Sequence, residues 1–145
     1  MLKGIANIIS PELLKVLMEM GHGDEIVIAD GNFPAASHAA RLIRCDGHGA
    51  IPLLEAILPL FPLDQYVQAP VALMSVVPGD PTKPEIWTEY KRVLEKYETS
   101  HTQFEFVERY AFYDRAKEAY AIVATGEPAL YANIILKKGV IRPSL

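Results

Sequence analysis

At 145 residues, half of them hydrophobic and carrying a formal net charge of −4, the chain has the size and apolar content of one domain spanning residues 1–145, with a core that needs no metal or disulfide staple. Its basic residues are spread along the sequence, which excludes the concentrated positive face that nucleic acid or an anionic membrane surface would require. The single Cys45 cannot form an internal disulfide, so it reads as a small buried side chain in a reducing compartment rather than as a nucleophile. No apolar stretch is long enough to span a bilayer, and Met1 to Ile9 lacks the apolar run and cleavage signal of a secretory peptide, so a cytoplasmic protein is expected.

Ser10 and Pro11 open the first helix, expected from about Pro11 to Met20, because a serine suits the cap and a proline the first helical position. Leu13, Leu14, Leu17 and Met18 form its apolar stripe, and Gly21 is the stop. Glu25 to Asp30 then reads as a strand buried on both faces, since Ile26, Val27, Ile28 and Ala29 are continuously apolar. The strand is flanked by two polar groups, His22 between two glycines before it and Asp30 at its carboxyl end. In open α/β sheets ligands bind at that edge, and Gly31-Asn32-Phe33-Pro34 supplies the turn that follows. Asp24 and Glu25 read as turn and strand-start carboxylates facing water.

Ala35 to Leu42 is rich in small residues and reads as a short, tightly packed helix, followed by a turn over Arg44-Cys45-Asp46-Gly47-His48-Gly49. A second amphipathic helix is expected from Ala50 to Leu60, closed by Pro59, and Phe61-Pro62-Leu63-Asp64 is a turn. Pro70 to Val77 is the next buried strand, ended by Pro78-Gly79-Asp80-Pro81. Ile86, Tyr90, Val93, Leu94 and Tyr97 recur at helical spacing and predict a helix from about Pro84 to Tyr97. Phe104 to Arg109 alternates as a strand, with Arg109 at its exit, and Tyr110 to Ala119 returns the chain as a helix. Two strands close the sequence, Tyr120–Ala124 and Tyr131–Leu136. Strands and helices alternate, which argues for an α/β sheet covered by helices, with a mixed element possible at the last two strands.

Several polar residues call for a role. Tyr131 and Asn133, two apart on the expected strand, would share a face and could touch one ligand, or fill core and satisfy a neighbouring backbone group. Arg109 is either solvated and ion-paired or a ligand contact, and His22 either a capping group or a proton carrier. His38, His48 and His101 make no close spacing with His22, and closely spaced Cys or His pairs are missing, so a metal site is not expected. Gly21-His22-Gly23 precedes a strand and lacks the lysine and hydroxyl of a phosphate loop.

Gly21-His22-Gly23-Asp24, the strand to Asp30, Phe33-Pro34, Phe112-Tyr113, Arg115-Ala116 and the closing run Tyr131 to Gly139 occur together in this order. In this the chain resembles the sugar mutarotases, the family of D-ribose pyranase and L-fucose mutarotase, over nearly its whole length. It is more similar to the fucose branch, in Ile9-Ser10-Pro11-Glu12-Leu13-Leu14 and in Arg109 ahead of Phe112-Tyr113, where the ribose branch typically has a histidine for the arginine. The resemblance implies a ribose pyranase-like fold, interconversion of monosaccharide anomers, and no cofactor. It also implies His22 as the proton-transfer residue, with Asp30, Arg109, Tyr131, Ala132 and Asn133 holding the sugar. A ring-shaped homo-oligomer, commonly a decamer of two pentamers, is implied as well. The competing expectation is a sugar-binding or transport-accessory module that uses the same polar groups without turnover.

Overall fold

The computed structural model describes residues 1–98 and 103–144. Its elements in chain order are α1 (Pro11–Glu19), β1 (Glu25–Ala29), α2 (Ala35–His38), β2 (Leu42–Cys45), α3 (Ala50–Ile57), β3 (Val71–Met74), α4 (Ile86–Tyr97), β4 (Glu105–Val107), α5 (Arg109–Glu118), β5 (Ala121–Thr125) and β6 (Ile134–Lys137). The strands make one six-stranded sheet in the order β2-β5-β1-β6-β3-β4. β5 is parallel to β1 and β2, β3 is parallel to β4, and β6 runs antiparallel between β1 and β3. The expected mixed element therefore lies in the middle of the sheet.

Alternate strand residues feed two cores, which is why β1 is apolar throughout. Ile26, Ile28, Val123, Ile134 and Leu136 pack under α1, α3 and α4 together with Leu13, Leu54, Tyr90 and Leu94. Val27, Ala29, Ile122, Ala124 and Ile135 face the other way, onto Ala35 of α2 and Phe112 and Ala116 of α5. Fully burying a side chain of the Leu or Ile class contributes about 1.5–3 kcal/mol, and β1 contributes to both layers at once.

Side-chain caps open two helices, the first at the serine the sequence pointed to. Ser10 Oγ accepts from the Leu13 N–H at 3.1 Å at the start of α1. Glu108 caps α5, accepting from the N–H groups of Tyr110 and Ala111 at 3.0 Å each, an acidic cap that also suits the positive end of the helix dipole.

Three expectations are corrected. The helix expected over Ala35 to Leu42 ends at His38, and Leu42–Cys45 is the edge strand β2, alternately exposed and buried, where a turn was expected from Arg44. A strand of four residues is too short for its period to stand out, and β5 supplies the pairing that defines it. The closing strand begins at Ile134, not at Tyr131, because Tyr131 has φ 57, a left-handed conformation incompatible with a strand. Glu25 does not face water: its carboxylate is held by Arg115 Nη2 at 2.6 Å, and Arg115 also reaches Glu105 at 2.9 Å.

Candidate active site

A cleft of about 220 Å³ opens at the carboxyl ends of β1 and β3. Its walls include Asp30, Asn32 and Phe33 after β1, Met74 at the end of β3, Val77 and Asp80 after it, Arg109 and Tyr113 from α5, and Leu130, Tyr131 and Asn133 from the turn before β6. Asp30 is 6% exposed, and its Oδ1 accepts from the Asn32 N–H at 3.0 Å. Burial pushes its carboxyl above the ordinary carboxylate range, against the downward pull of the Asn32, Ala132 and Phe33 N–H groups, while the charge of Glu127 adds to the rise. The Asp30 N–H donates to Asn133 Oδ1 at 2.8 Å, which leaves the Asn133 amide donors for another partner.

Tyr131 and Asn133 do share the cleft, but by a turn rather than by strand alternation. Trp87 Nε1 donates to the Tyr131 carbonyl at 2.8 Å, and the Tyr90 hydroxyl donates to the Ala132 carbonyl. These two bonds from α4 hold a non-glycine residue at positive φ, a conformation that costs on the order of 1–3 kcal/mol. The Tyr131 hydroxyl donates to Asp80 Oδ2 at 2.6 Å and accepts from the Val77 N–H at 3.3 Å. Hydrogen bonds from Thr82 and Tyr131 hold the Asp80 carboxyl below its usual range. Ala132 is fully buried, outside the cleft lining, and its carbonyl is already engaged, so it supports the two residues beside it.

Arg109 opens α5 at the exit of β4, where the sequence put it. Its Nη2 donates to the Tyr110 hydroxyl at 2.9 Å, and its guanidinium lies 4.6 Å from the Tyr110 ring centroid. Its Nε is buried with no partner among the described residues, a state that costs about 1–3 kcal/mol unless a ligand oxygen fills it.

His22 is not in this cleft. It precedes β1 and Asp30 follows it; at about 3.3 Å per strand residue the two side chains stand roughly 20 Å apart. Within one copy Asp30 therefore cannot orient His22. The residue that touches the ring is Asp64, whose Oδ1 lies 3.0 Å from His22 Nε2. The side chains are 46% and 5% exposed, respectively. Burial pulls the Asp64 carboxyl up, but the Tyr66 N–H and the His22 ring outweigh it and hold it below the usual range.

Local geometry fixes this corner. Lys138 Nζ donates to the Leu17 carbonyl at 2.7 Å and to that of Met20, satisfying orphan carbonyls where α1 ends. Gly23, at φ 87, turns the chain into β1 and donates to the Lys138 carbonyl at 2.8 Å. The Asp64 N–H donates to the Lys137 carbonyl at 3.0 Å. A Cβ on Gly139 would come within 2.8 Å of Asp64 Cα, so a glycine is needed for this approach.

Of the other histidines, His38 packs against Phe33 and Tyr113 and bonds Ser37 Oγ at 2.9 Å; His101 lies outside the described residues. Among the described residues no group of three or more His, Cys, Asp or Glu is placed to hold a metal ion. Cys45 is buried and free. Sequence reasoning missed Asp64 and Asp80, both read as turn residues; each is identified only by a contact across 42 or 51 positions.

The fold and the cleft define a small α/β protein with a polar pocket at the carboxyl edge of its sheet, and comparison with known proteins narrows that class. Residues 3–141 match the RbsD / FucU transport protein family, and the chain belongs to that family. It is 58% identical over 140 residues to the L-fucose mutarotase of Actinobacillus pleuropneumoniae serotype 5b, covering 97% of each chain. It is 51% identical to the fucose mutarotase of Bos taurus, over 98% of this chain and 95% of that one. Among solved structures, the fucose mutarotase of Streptococcus pneumoniae in complex with L-fucose superposes with a TM-score of 0.93 at 56% identity, covering 97% of this chain and 100% of that one.

Proposed function

We propose that this chain is a mutarotase that interconverts the α and β anomers of L-fucose, or a closely related monosaccharide, by general acid–base ring opening and reclosure without a cofactor. The observation that carries the reading is the cleft itself. It offers the carboxylate of Asp30, the free amide donors of Asn133, the Tyr131 hydroxyl and the buried, unpaired Nε of Arg109. Such a set matches a neutral ligand with many hydroxyls, which both donate and accept. The relatives named fucose mutarotase, and the pneumococcal one holding L-fucose, support the choice of sugar.

Mutarotation removes a proton from the anomeric hydroxyl, breaks the bond from the anomeric carbon to the ring oxygen and puts a proton on that oxygen. Reclosure on the other face reverses each step. Because both oxygens are bonded to one carbon, a single imidazole can take the proton from one and give it to the other, with no net change. Histidine, with an ordinary pKa near 6.5, suits the task, and a positioned acid–base group contributes about 10²–10⁴ in rate. His22 fills this role.

One copy of the chain holds the proton carrier and the cleft at opposite ends of β1, so the working site is assembled from two copies. Large apolar side chains flank both halves: Leu130 and Tyr110 beside the cleft are 53% and 62% exposed, and Tyr66, whose ring centroid is 5.3 Å from that of His22, is 62% exposed. A repeating head-to-tail contact of this kind forms a ring when its rotation closes, and the decamer of two pentamers that the family resemblance implies is such a closed arrangement. No described helix is long and apolar enough to cross a membrane, and the buried thiol of Cys45 suits a cytoplasmic setting.

The test is an NMR screen of anomer exchange over L-fucose, galactose, ribose and glucose at equilibrium. Enhanced exchange between anomer signals, fastest for fucose, is expected. Sugar binding without enhanced exchange would make the protein a binding module instead.

A further inference from the structure

Tyr131 reaches the cleft with a hydroxyl whose hydrogen is already engaged. Its Oη donates to Asp80 Oδ2 at 2.6 Å, the short span of a charge-assisted bond, and accepts from the Val77 N–H at 3.3 Å, beyond the usual length of an N–H···O bond. Asp80 returns no hydrogen: Thr82 and Tyr131 hold its carboxyl below the ordinary range, and an ionised carboxylate only accepts. Its other oxygen, Oδ1, takes both donors of Thr82, the backbone N–H at 2.9 Å and the hydroxyl at 2.6 Å. The turn that carries Asp80 is fixed as well, since Gly79 has φ 91, open to glycine at no steric cost, and the Asp80 N–H donates to the Val77 carbonyl at 3.0 Å. Pro78-Gly79-Asp80-Pro81, which the sequence marks only as the end of a strand, thus aims one carboxylate oxygen at Tyr131.

We propose that Asp80 is a positioning residue for the sugar: it takes the hydrogen of the Tyr131 hydroxyl, so that the phenolic oxygen meets the ligand as an acceptor and selects a sugar hydroxyl that donates. This rests on the cleft being the sugar site. Donation to a carboxylate makes the phenolic oxygen more negative and so a better acceptor, and the weak Val77 contact leaves it room for one more bond. The polar groups of the cleft then divide by direction: Asp30 and Tyr131 accept, whereas the Asn133 amide and Arg109 Nε donate. Asp80 acts through Tyr131 and makes no bond to the sugar. With the proton moving at His22, Asp80 bears on KM rather than on kcat.

Asp80→Asn reverses the direction of the bond. The two Thr82 donors keep the amide oxygen where Oδ1 was, which leaves the NH2 group facing Tyr131, and the phenol must accept from it and turn its own hydrogen away. The Fermi doublet of the tyrosine ring in the Raman spectrum reads this, its higher-frequency component being weak when the phenol donates to a negative oxygen and strong when it accepts. Subtracting the Tyr131→Phe spectrum isolates Tyr131. The donor signature is expected in the wild type with and without L-fucose, and the acceptor signature in Asp80→Asn. By isothermal titration, Asp80→Asn should weaken L-fucose binding about 3- to 10-fold, the scale of one hydrogen bond, but by no more than about twofold when Tyr131→Phe is already present. Exchange kinetics on L-fucose should show the loss in KM, with kcat within about twofold. Equal weakening with and without Tyr131→Phe, unchanged affinity in Asp80→Asn, or an acceptor signature in the sugar-bound wild type overturns the proposal; the last needs no variant at Asp80. If the wild type binds no L-fucose, the reading of the cleft as a sugar site fails, and the proposal with it.

Discussion

At the carboxyl end of β1 the chain builds a concave, polar cleft with two carboxylates, two amides and an arginine but no histidine in its lining; at the amino end it presents a histidine on a tight glycine turn, backed by one buried carboxylate. The cleft residues are held by tertiary bonds from α4, from the loop after β3 and from the turn before β6, the pre-organisation that a binding site requires. His22 is half exposed and lies outside the cleft that its own copy lines. On the function proposed above, binding and proton transfer are built at opposite ends of β1 and would meet between copies.

The largest expected effect comes from breaking the histidine end alone. His22→Ala should lower anomer exchange on L-fucose about 10²- to 10⁴-fold, while isothermal titration shows sugar affinity within about threefold of the wild type. Equal loss of binding and exchange would mean that the two ends are not separate.

Breaking the cleft should do the reverse. Asp30→Asn exchanges a charged acceptor for a neutral one, a loss of about 1.5–3 kcal/mol, or roughly 10- to 100-fold in affinity. Its effect on stability has the opposite sign. Burial raises the Asp30 carboxyl in the folded chain, so the ionised form is disfavoured by folding. The group's favourable contribution is present below the ordinary carboxylate range and is lost as pH rises through the folded value. The melting temperature of Asp30→Asn relative to the wild type should therefore rise between pH 4 and pH 7, a trend absent if Asp30 is not buried.

A smaller and more selective change is expected at Arg109. The long guanidinium fork reaches hydroxyls that an imidazole cannot, so Arg109→His should lower the ratio of fucose to ribose exchange by about tenfold, one decade per 1.4 kcal/mol. An unchanged ratio would make Arg109 a surface residue that stacks on Tyr110 and no more.

Much of the scaffold was legible from local pattern. The continuous apolar run of β1 gave its burial on both faces, and the spacing of Ile86, Tyr90, Val93 and Leu94 gave α4, all four buried as expected. Asp30 and Arg109 could be placed at element ends because the apolar run of β1 stops at Asp30 and the alternation of β4 stops at Arg109; their expected roles at the sugar came from the family resemblance. Tyr131 misled, since Tyr-Ala-Asn-Ile reads as a strand while its left-handed backbone is imposed by Trp87, Tyr90 and Asp80 from distant parts of the chain. Asp64 and Glu25 were taken as turn or solvent residues for the same reason. Their partners, His22 and Arg115, lie 42 and 90 positions away, beyond any local period.

Complementation tests the central claim, that His22 of one copy serves the cleft of another. His22→Ala and Asp30→Asn chains are each purified and assayed, then co-assembled in equal amounts by unfolding and refolding together. In a random mixture about a quarter of the contacts join an intact cleft to an intact His22, so exchange on L-fucose should recover to about a quarter of the wild-type rate. If the mixture shows no more than the average of the two variants assayed alone, histidine and cleft act within one chain and the account is contradicted.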